Sequence, residues 1–356
     1  MQANNNGSSP VITKETKNRI HVDYEGKLSV KERLIQKLKA SNTWIKAFVN
    51  VLRFILMLGV SFVIIYPFIA RIAGSFMTRE DVIDSTVSLI PKSPTIEIYK
   101  AIILENHYFE ALLNTLILSL VCAVIQMLVS CLVGYGIAKF KFKGNKLIMG
   151  LVVFTMIVPH SALSYSIGMH FTQFDLFNVI TWQNKGLITL LTGKPIDFSD
   201  TFVPYIVLSL GGLAFKNGLY IYLMRQFFKG VPDELEESAY VDGSGVFRTF
   251  FQIILPLAVP MMITVFLFSF SWQWTDEFYE GLFFYAEEGM AGKVYMMPDV
   301  YKVPSSLYKP TLAGAELYHN VIQNTGGMMI IMPLIILYLF CQKYLVQGIE
   351  RSGLVG

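Results

Sequence analysis

Six apolar segments constrain this chain of 356 residues more than any other feature. They lie at about 48–70, 112–137, 147–168, 203–224, 257–275 and 326–346. Each is close to the roughly 20 residues that a helix needs to cross about 30 Å of hydrocarbon. With 53% hydrophobic and only 15% charged residues, the chain is more apolar than a soluble domain. The sequence therefore predicts an all-α, polytopic membrane protein with six transmembrane helices.

The basic residues between these segments predict an orientation. They collect in the N-terminal tail and after the second, fourth and sixth segments, at Lys139, Lys141, Lys143, Lys146, Arg225, Lys229, Arg248, Lys343 and Arg351. Cytosolic loops of membrane proteins carry an excess of Lys and Arg. We therefore expect these loops and both termini in the cytosol, and the loops at about 71–111, 169–202 and 276–325 outside.

The ends of the chain are predicted to lie outside the membrane domain. Residues 1–45 form a basic tail without the early apolar core and cleavage site of a signal peptide, so a retained cytosolic extension is expected. Residues 28–40 of this tail are predicted either to lie on the membrane surface as a basic helix or to stay solvated. Residues 46–350 are predicted to form the membrane domain, and 351–356 a short cytosolic tail.

One polar loop, 231–256, stands out in this hydrophobic chain. Pro232 suits the first turn of a helix, and Asp233 is placed to cap the free N–H groups, with a glutamate three residues later. Gly243 is expected to end this helix, and Ser244 to cap a second one that leads into the fifth segment. The loop is therefore predicted to be a helix–turn–helix knob that docks a partner on the cytosolic face.

The residues of this loop resemble the EAA loop of the membrane subunits of ATP-binding-cassette (ABC) importers. In that family Glu-Ala-Ala precedes Asp-Gly, and Ile-x-Leu-Pro follows after a fixed gap. The matching positions here are Glu237, Ser238, Ala239, Asp242, Gly243, Ile253, Leu255 and Pro256. Ser238 replaces the family's Ala and is small enough to preserve a packed contact. An ordinary amphipathic hairpin would contain acids and a glycine but has no reason to reproduce this spacing.

Three further stretches are similar to the carbohydrate-uptake, maltose-type branch of these permeases. They are LMRQFF at 223–228, WTDEF at 274–278 and QKYLVQG at 342–348. The resemblance covers most of 110–350, and the Gly-rich end SGLVG at 352–356 fits the same branch. The long N-terminus and the inserts near 187–202 and 283–315 depart from compact members.

The resemblance implies a fold, a function and a set of partners. The fold is that of a type I ABC importer permease, and the function is uptake of a sugar or oligosaccharide from an external binding protein. A second, homologous permease and two cytosolic ATPase subunits complete the assembly in a bacterial cell membrane. Six residues of the loop, Glu237, Ser238, Ala239, Asp242, Gly243 and Pro256, are expected to dock the ATPase and to transmit its motion to the membrane helices.

Other functions lack their sequence signatures. The three Gly-Lys pairs are not followed by Ser or Thr as in a phosphate-binding loop, so ATP and Mg are expected on the partner ATPases and no cofactor on this chain. The five histidines and three cysteines have no metal-ligand spacing. A net charge of +3 without a basic patch argues against nucleic acid. We therefore expect a transport subunit rather than an enzyme.

Lys216 interrupts the fourth segment, with Asn217 beside it. A lysine that faces lipid costs a few kcal/mol, so Lys216 is expected either to face a water-filled cavity on the substrate path or to pack between helices. Gln126 in the second segment presents the same two interpretations. Trp272 and Trp274 belong to an aromatic cluster that could stack on sugars or form a membrane-interface belt.

Two alternatives from other functional classes remain open on sequence alone. One is a polytopic enzyme acting on lipid-linked sugars, with Asp276 and Glu277 as its outer carboxylates. These acids are otherwise expected to be gate residues or solvated acids. The second alternative is a passive facilitator, which would have no use for an ATPase-docking loop.

Overall fold

A computed structural model describes residues 12–15, 21–24, 41–175, 186–286 and 292–353. These residues belong to two compact units, 1–70 and 71–356. In the first unit, β1 (Ile12–Glu15) pairs antiparallel with β2 (His21–Tyr24), with Ile12 opposite Tyr24. This hairpin lies in the tail for which no strand was predicted. The predicted surface helix at 28–40 lies outside the described residues.

The remaining elements are helices. They are α1 (Ser41–Gly74), α2 (Arg79–Ile83), α3 (Glu97–Glu105), α4 (Tyr108–Lys139), α5 (Asn145–Ile157), α6 (His160–Thr172), α7 (Leu187–Thr192), α8 (Val203–Leu210), α9 (Asn217–Lys229), α10 (Glu234–Val241), α11 (Val246–Thr249), a π-helix (Phe250–Ile254), α12 (Leu255–Trp274), α13 (Phe278–Phe283), a 3₁₀-helix (Met297–Tyr301) and α14 (Ala315–Gly353). The predicted helical class is confirmed, and α14 includes the first three residues of the predicted C-terminal tail.

Four stretches of helix in the described chain are long and apolar enough to cross a membrane. They are Phe48–Gly74, Tyr108–Lys139, Val246–Trp274 and Ala315–Tyr344. The pair α5 and α6 would make a fifth span if its two helices cross together. The chain is thus a multi-pass membrane protein, and the count of six spans stays a prediction.

Two of the predicted spans are not single helices. The segment at 147–168 bends by 100° between α5 and α6, at Pro159, which cannot donate the backbone hydrogen bond that a continuing helix needs. The segment at 203–224 is divided into α8, of 8 residues, and α9, of 13 residues. Its intervening backbone turns through the left-handed region at Gly212 (φ +68°) and Lys216 (φ +63°). The prediction of one straight helix is therefore wrong in both places.

Helix α4 is the centre of the second unit, since it packs against α8, α9, α12 and the 3₁₀-helix. A small residue permits the closest of these contacts. A Cβ added to Gly134 would lie 2.7 Å from the Cβ of Met224 on α9, and small residues at helix interfaces let backbones approach closely. The two sites considered below both depend on helices packed around α4.

Candidate functional site

The loop at 231–256 forms a helical knob, as predicted. Helix α10 ends in a glycine turn, where Gly243 has φ +82°. The Ser244 N–H donates to the Ala239 carbonyl at 2.9 Å, and the Gly243 N–H donates to the Tyr240 carbonyl at 3.0 Å. This pair of bonds is a Schellman motif, which satisfies carbonyls left free at the end of a helix. The prediction that Gly243 ends the helix is confirmed. We call residues 231–249 the docking knob.

Two of the predicted caps are wrong. Asp233 precedes α10 but makes no side-chain cap hydrogen bond. Its carboxylate instead accepts a hydrogen bond of 2.5 Å from Nζ of Lys139, at the end of α4, and the same ammonium donates to the Val231 carbonyl at 2.6 Å. This charge-assisted bond lowers the pKa of Asp233. Ser244 does not cap α11 either, because Gly245 occupies the N-cap position.

The residues of the knob divide into a buried and an exposed set. Ala239 and Glu236 are buried at the base, the latter with one carboxylate oxygen that has no hydrogen-bond partner in the described chain. Glu237, Ser238, Asp242 and Gly243 are exposed. The apolar side chains of Val241 and Phe247 are 87% and 80% exposed. Exposed apolar side chains rimmed by polar groups are typical of interaction surfaces.

The knob leads into the membrane without a gap. Helix α11, the π-helix and α12 are consecutive, and Phe250 and Ile254 pack in the core beside Tyr135 of α4. The Leu255 N–H donates to the Phe250 carbonyl, the i→i+5 bond of a π-turn. Pro256, which is exposed, follows in the first turn of α12. The predicted docking residues therefore lie on one continuous piece of structure.

The predicted substrate-path residues fall into two groups. Gln126 is buried, where its amide donates to Ser209 Oγ at 3.2 Å and accepts from Ser269 Oγ at 2.7 Å. Trp274 is also buried, and its indole donates to the Ile330 carbonyl at 2.9 Å. Both side chains have partners inside the chain, which favours the helix-packing interpretation for Gln126. Trp274 has a buried packing role that neither of its two sequence interpretations described.

The other three residues meet at the break between α8 and α9. We call residues 211–218 the helix break. The ammonium of Lys216 lies 5.2 Å from the ring centroid of Trp272 and 4.8 Å from that of Phe215, which is cation–π geometry. Asn217 is fully buried beside it. A cavity of about 140 Å³ is lined by both polar residues and by His160.

His160 also lines this cavity, although the sequence showed only that the histidines lack metal-ligand spacing. Its ring lies 4.9 Å from that of Phe215, and its Nδ1 is 2.8 Å from the hydroxyl of Tyr279 on α13. The nearest signal in the sequence was Pro159, which bends the chain and brings α6 to the helix break. No group of three or more His, Cys, Asp or Glu residues in the described chain is arranged to hold a metal.

The outer acids have different environments. Asp276 is largely buried, and its Oδ1 accepts from the N–H groups of Phe278 and Tyr279 at 3.2 Å, so it is not a solvated acid but a cap of α13. Burial raises its pKa to about 6. Glu277 is exposed. Burial, with Asp299 nearby, raises the pKa of Glu280 to about 8.

Residues 126–351 match the model of the family described as binding-protein-dependent transport system inner membrane component. A polygalacturonan/rhamnogalacturonan transport system permease of Bacillus subtilis is 25% identical over 296 residues, which cover 82% of this chain and 93% of that protein. A maltodextrin transport system permease of Streptococcus pneumoniae is 26% identical over 313 residues, covering 85% and 94%.

A solved structure also has a similar fold. It is that of a bacterial ABC transporter involved in the import of the acidic polysaccharide alginate, with a TM-score of 0.58 and 19% identity, covering 86% of this chain and 98% of the matched chain. The comparisons give no support to the alternative of an enzyme acting on lipid-linked sugars.

Proposed function

Because this chain belongs to the family of binding-protein-dependent transport system inner membrane components, we propose that it couples ATP hydrolysis by partner subunits to sugar or oligosaccharide import. As a sugar ABC transporter permease it is a transport component of the membrane rather than an enzyme. The curated relatives include permeases for maltodextrin, galactooligosaccharides and arabinooligosaccharides. These names support an oligosaccharide as the transported substrate.

The observation that carries the proposal is the exposed docking knob on a helix that continues into the bundle. Val241 and Phe247 present apolar side chains at the knob's surface, while the turn at Gly243 holds α10 beside α11. Exposed aromatic and aliphatic side chains rimmed by charged groups form the buried centre of protein interfaces. We assign this surface to a cytosolic ATPase subunit, with Glu237, Ser238 and Asp242 at its rim.

The coupling follows from the connection between the knob and the helices. Closure of two ATPase subunits on ATP would displace the knob, and α12 would transmit this displacement to the helices around α4. A rigid-body change of this kind opens a central cavity to one side and then to the other. ATP and Mg are held by the ATPase subunits, and this chain needs no cofactor of its own.

The assembly contains further proteins. A second, homologous permease completes the substrate path, and an extracytoplasmic binding protein delivers the saccharide. The complex lies in the bacterial cell membrane with the knob and both termini of this chain in the cytosol. The alternation of basic residues between loops supports this orientation.

Charge placed on the knob's apolar surface tests the proposal. Val241→Lys and Phe247→Lys alter side chains that are already exposed, so they leave folding intact and disrupt only an interface. We expect the double variant to lose co-purification of the ATPase and ATP-dependent uptake in proteoliposomes. Leu191→Lys is the matched control, because Leu191 is 77% exposed on α7, far from the knob in sequence. Normal ATPase binding by the double variant would contradict the assignment.

A further inference from the structure

Lys216 is a cation without a counter-charge. In the described chain its ammonium has no ion pair and no hydrogen bond, only the faces of Phe215 and Trp272. Two other lysines do have counter-charges within the chain, since Lys139 binds Asp233 and Lys92 binds Asp84. The segment at 203–224 is a membrane span by sequence prediction, and a cation within a span is expensive unless it meets water or an anion. The accessible side chain of Lys216 is therefore available to an anion that the chain itself does not supply.

The surroundings of Lys216 also favour an anion at this place. Among the described residues that line the cavity, none is an Asp or Glu. Helix α9 begins at the next residue, so the positive end of its dipole points to the same place. Asn217 is fully buried, and neither its amide nitrogen nor its amide oxygen has a hydrogen-bond partner in the described chain. Buried amides without partners are rare, because each lost hydrogen bond destabilises the protein.

The aromatic faces add a second kind of recognition. Trp272 is 48% exposed, so part of its indole is free to meet a ligand, and Phe215 lies with its ring centroid 5.5 Å away. Flat apolar surfaces of this kind pack against the C–H face of a sugar ring. The cavity of about 140 Å³ is smaller than a typical ligand pocket. Neither aromatic ring lines it, so only the charged edge of a sugar unit would enter it, and the remainder of an oligosaccharide would lie outside, beside the rings.

We propose that the helix break is a subsite for a carboxylate of an acidic oligosaccharide, with Lys216 forming the ion pair, Asn217 a hydrogen bond and Trp272 the stacking surface. This inference rests on the proposed transport function and names the substrate class. A neutral saccharide would leave the ammonium without its counter-charge, whereas a uronate unit supplies a planar carboxylate beside an apolar ring face.

Binding of matched saccharides to the purified complex, without its binding protein, tests the subsite. The probes are trimers of galacturonate, glucuronate and guluronate, each compared with its carboxyl-reduced, neutral form, and binding is followed by calorimetry. We expect at least one acidic trimer to bind about tenfold or more tightly than its neutral form, and less tightly as salt is raised. If no acidic trimer is preferred over its neutral form, the proposal is overturned.

Variants of Lys216 test whether this residue causes the preference for the acidic trimer. Lys216→Met should remove the preference for the acidic trimer, and Lys216→Arg should retain it within a few-fold. Lys343→Met is the matched control, because Lys343 also lies over an aromatic ring, 4.8 Å from that of Tyr344, but outside the helix break. An unchanged preference in Lys216→Met would overturn the assignment.

Failure of the subsite is distinguishable from failure of the transport function. Wild-type complex that imports saccharides with normal ATP dependence but shows no acidic preference would reject the subsite alone. Persistence of ATPase binding after Val241→Lys and Phe247→Lys would instead reject the transport coupling.

Discussion

The docking knob and the helix break both form where the chain leaves regular helix, but they place their side chains differently. The knob turns at Gly243, with acids and apolar groups outward, and Lys139 ties it to α4 through Asp233 and the Val231 carbonyl. The helix break turns inward, so that Asn217 is buried and Lys216 contacts Trp272, more than fifty positions along the chain. A partner can thus bind the knob without repacking the core, whereas changes at the break alter the core itself.

The largest effect is expected at the turn of the knob. Gly243→Pro is incompatible with φ +82° and removes the N–H that binds the Tyr240 carbonyl, a change that costs about 3 kcal/mol or more. We expect loss of ATPase co-purification and of uptake, with normal membrane insertion. Gly243→Asn is the control, since Asn tolerates the left-handed region. ATP-dependent uptake by Gly243→Pro at the wild-type rate would show that the turn is dispensable.

The second prediction compares a glycine of the helix break with a glycine of the docking knob. A Cβ on Gly218 would lie 2.5 Å from Thr155 Oγ1 and 3.0 Å from the Val152 carbonyl. Because the carbonyl belongs to the backbone of α5, Gly218→Ala should destabilise the protein by roughly 1–3 kcal/mol. Gly245→Ala on the knob meets nothing within 4 Å and should be nearly neutral. Thermal unfolding in detergent measures the stability of both variants. Equal thermal midpoints for Gly218→Ala and Gly245→Ala would contradict the contrast between a packed break and an open knob.

The third prediction concerns the pH dependence of a carboxyl group near the break. Glu280 follows Tyr279, the partner of His160, and its raised pKa of about 8 means that the folded state prefers the protonated form. The cost of ionising it grows as pH rises from 4.5 to about 8. Glu280→Gln should therefore raise the unfolding free energy by roughly 1–3 kcal/mol above pH 8 and leave it unchanged below pH 4.5. A pH-independent difference would refute the role of burial.

The smallest effect is expected for the acid of the knob. Asp233→Asn removes an exposed carboxylate whose pKa is lowered by Lys139, so its contribution is present above the ordinary pKa of 3.8 and is lost as pH falls further. The thermal midpoint at pH 7 should fall only slightly, and the difference from the wild type should shrink progressively as pH falls below 3.8. Lys139→Met should have the larger effect, because that side chain is 6% exposed and also binds the Val231 carbonyl. Equal effects would mean that the ion pair alone holds the knob.

The sequence could predict those features of the two regions that depend on residues close together in the chain. The end of α10 depends on residues adjacent in sequence, and Gly243 was identified correctly. The capping role of Asp233 was not, because Lys139, distant in sequence, competes for its carboxylate. For the same reason the packing roles of Gln126 and Trp274 required a structure. Their partners, Ser209, Ser269 and the Ile330 carbonyl, lie on other segments.

The two broken spans had local signals that were given too little weight. Pro159 follows Val158 near the centre of a long apolar run, and a proline disfavours helix at the residue before it. Gly211 and Gly212, which precede Lys216, are the local signal of the second break. Mean hydropathy is averaged over a whole apolar segment. It therefore indicates how long the segment is, but not where the backbone turns within it. The angle of 100° between α5 and α6 comes from packing, which no local pattern contains.

Under the proposed coupling, the continuous helical stretch from Val246 to Trp274, of 29 residues, would act as a lever. At 1.5 Å per residue it is about 44 Å long. Phe247 lies at one end, and Trp272 lies close to the other, where the neighbouring Trp274 is held by the Ile330 carbonyl. Under the proposed coupling, a push on Phe247 would pivot this helix about its anchored end, and Trp272, close to that end, would rotate against Lys216 more than it would travel. The extra residue of the π-turn near Phe250 is where this helix would flex.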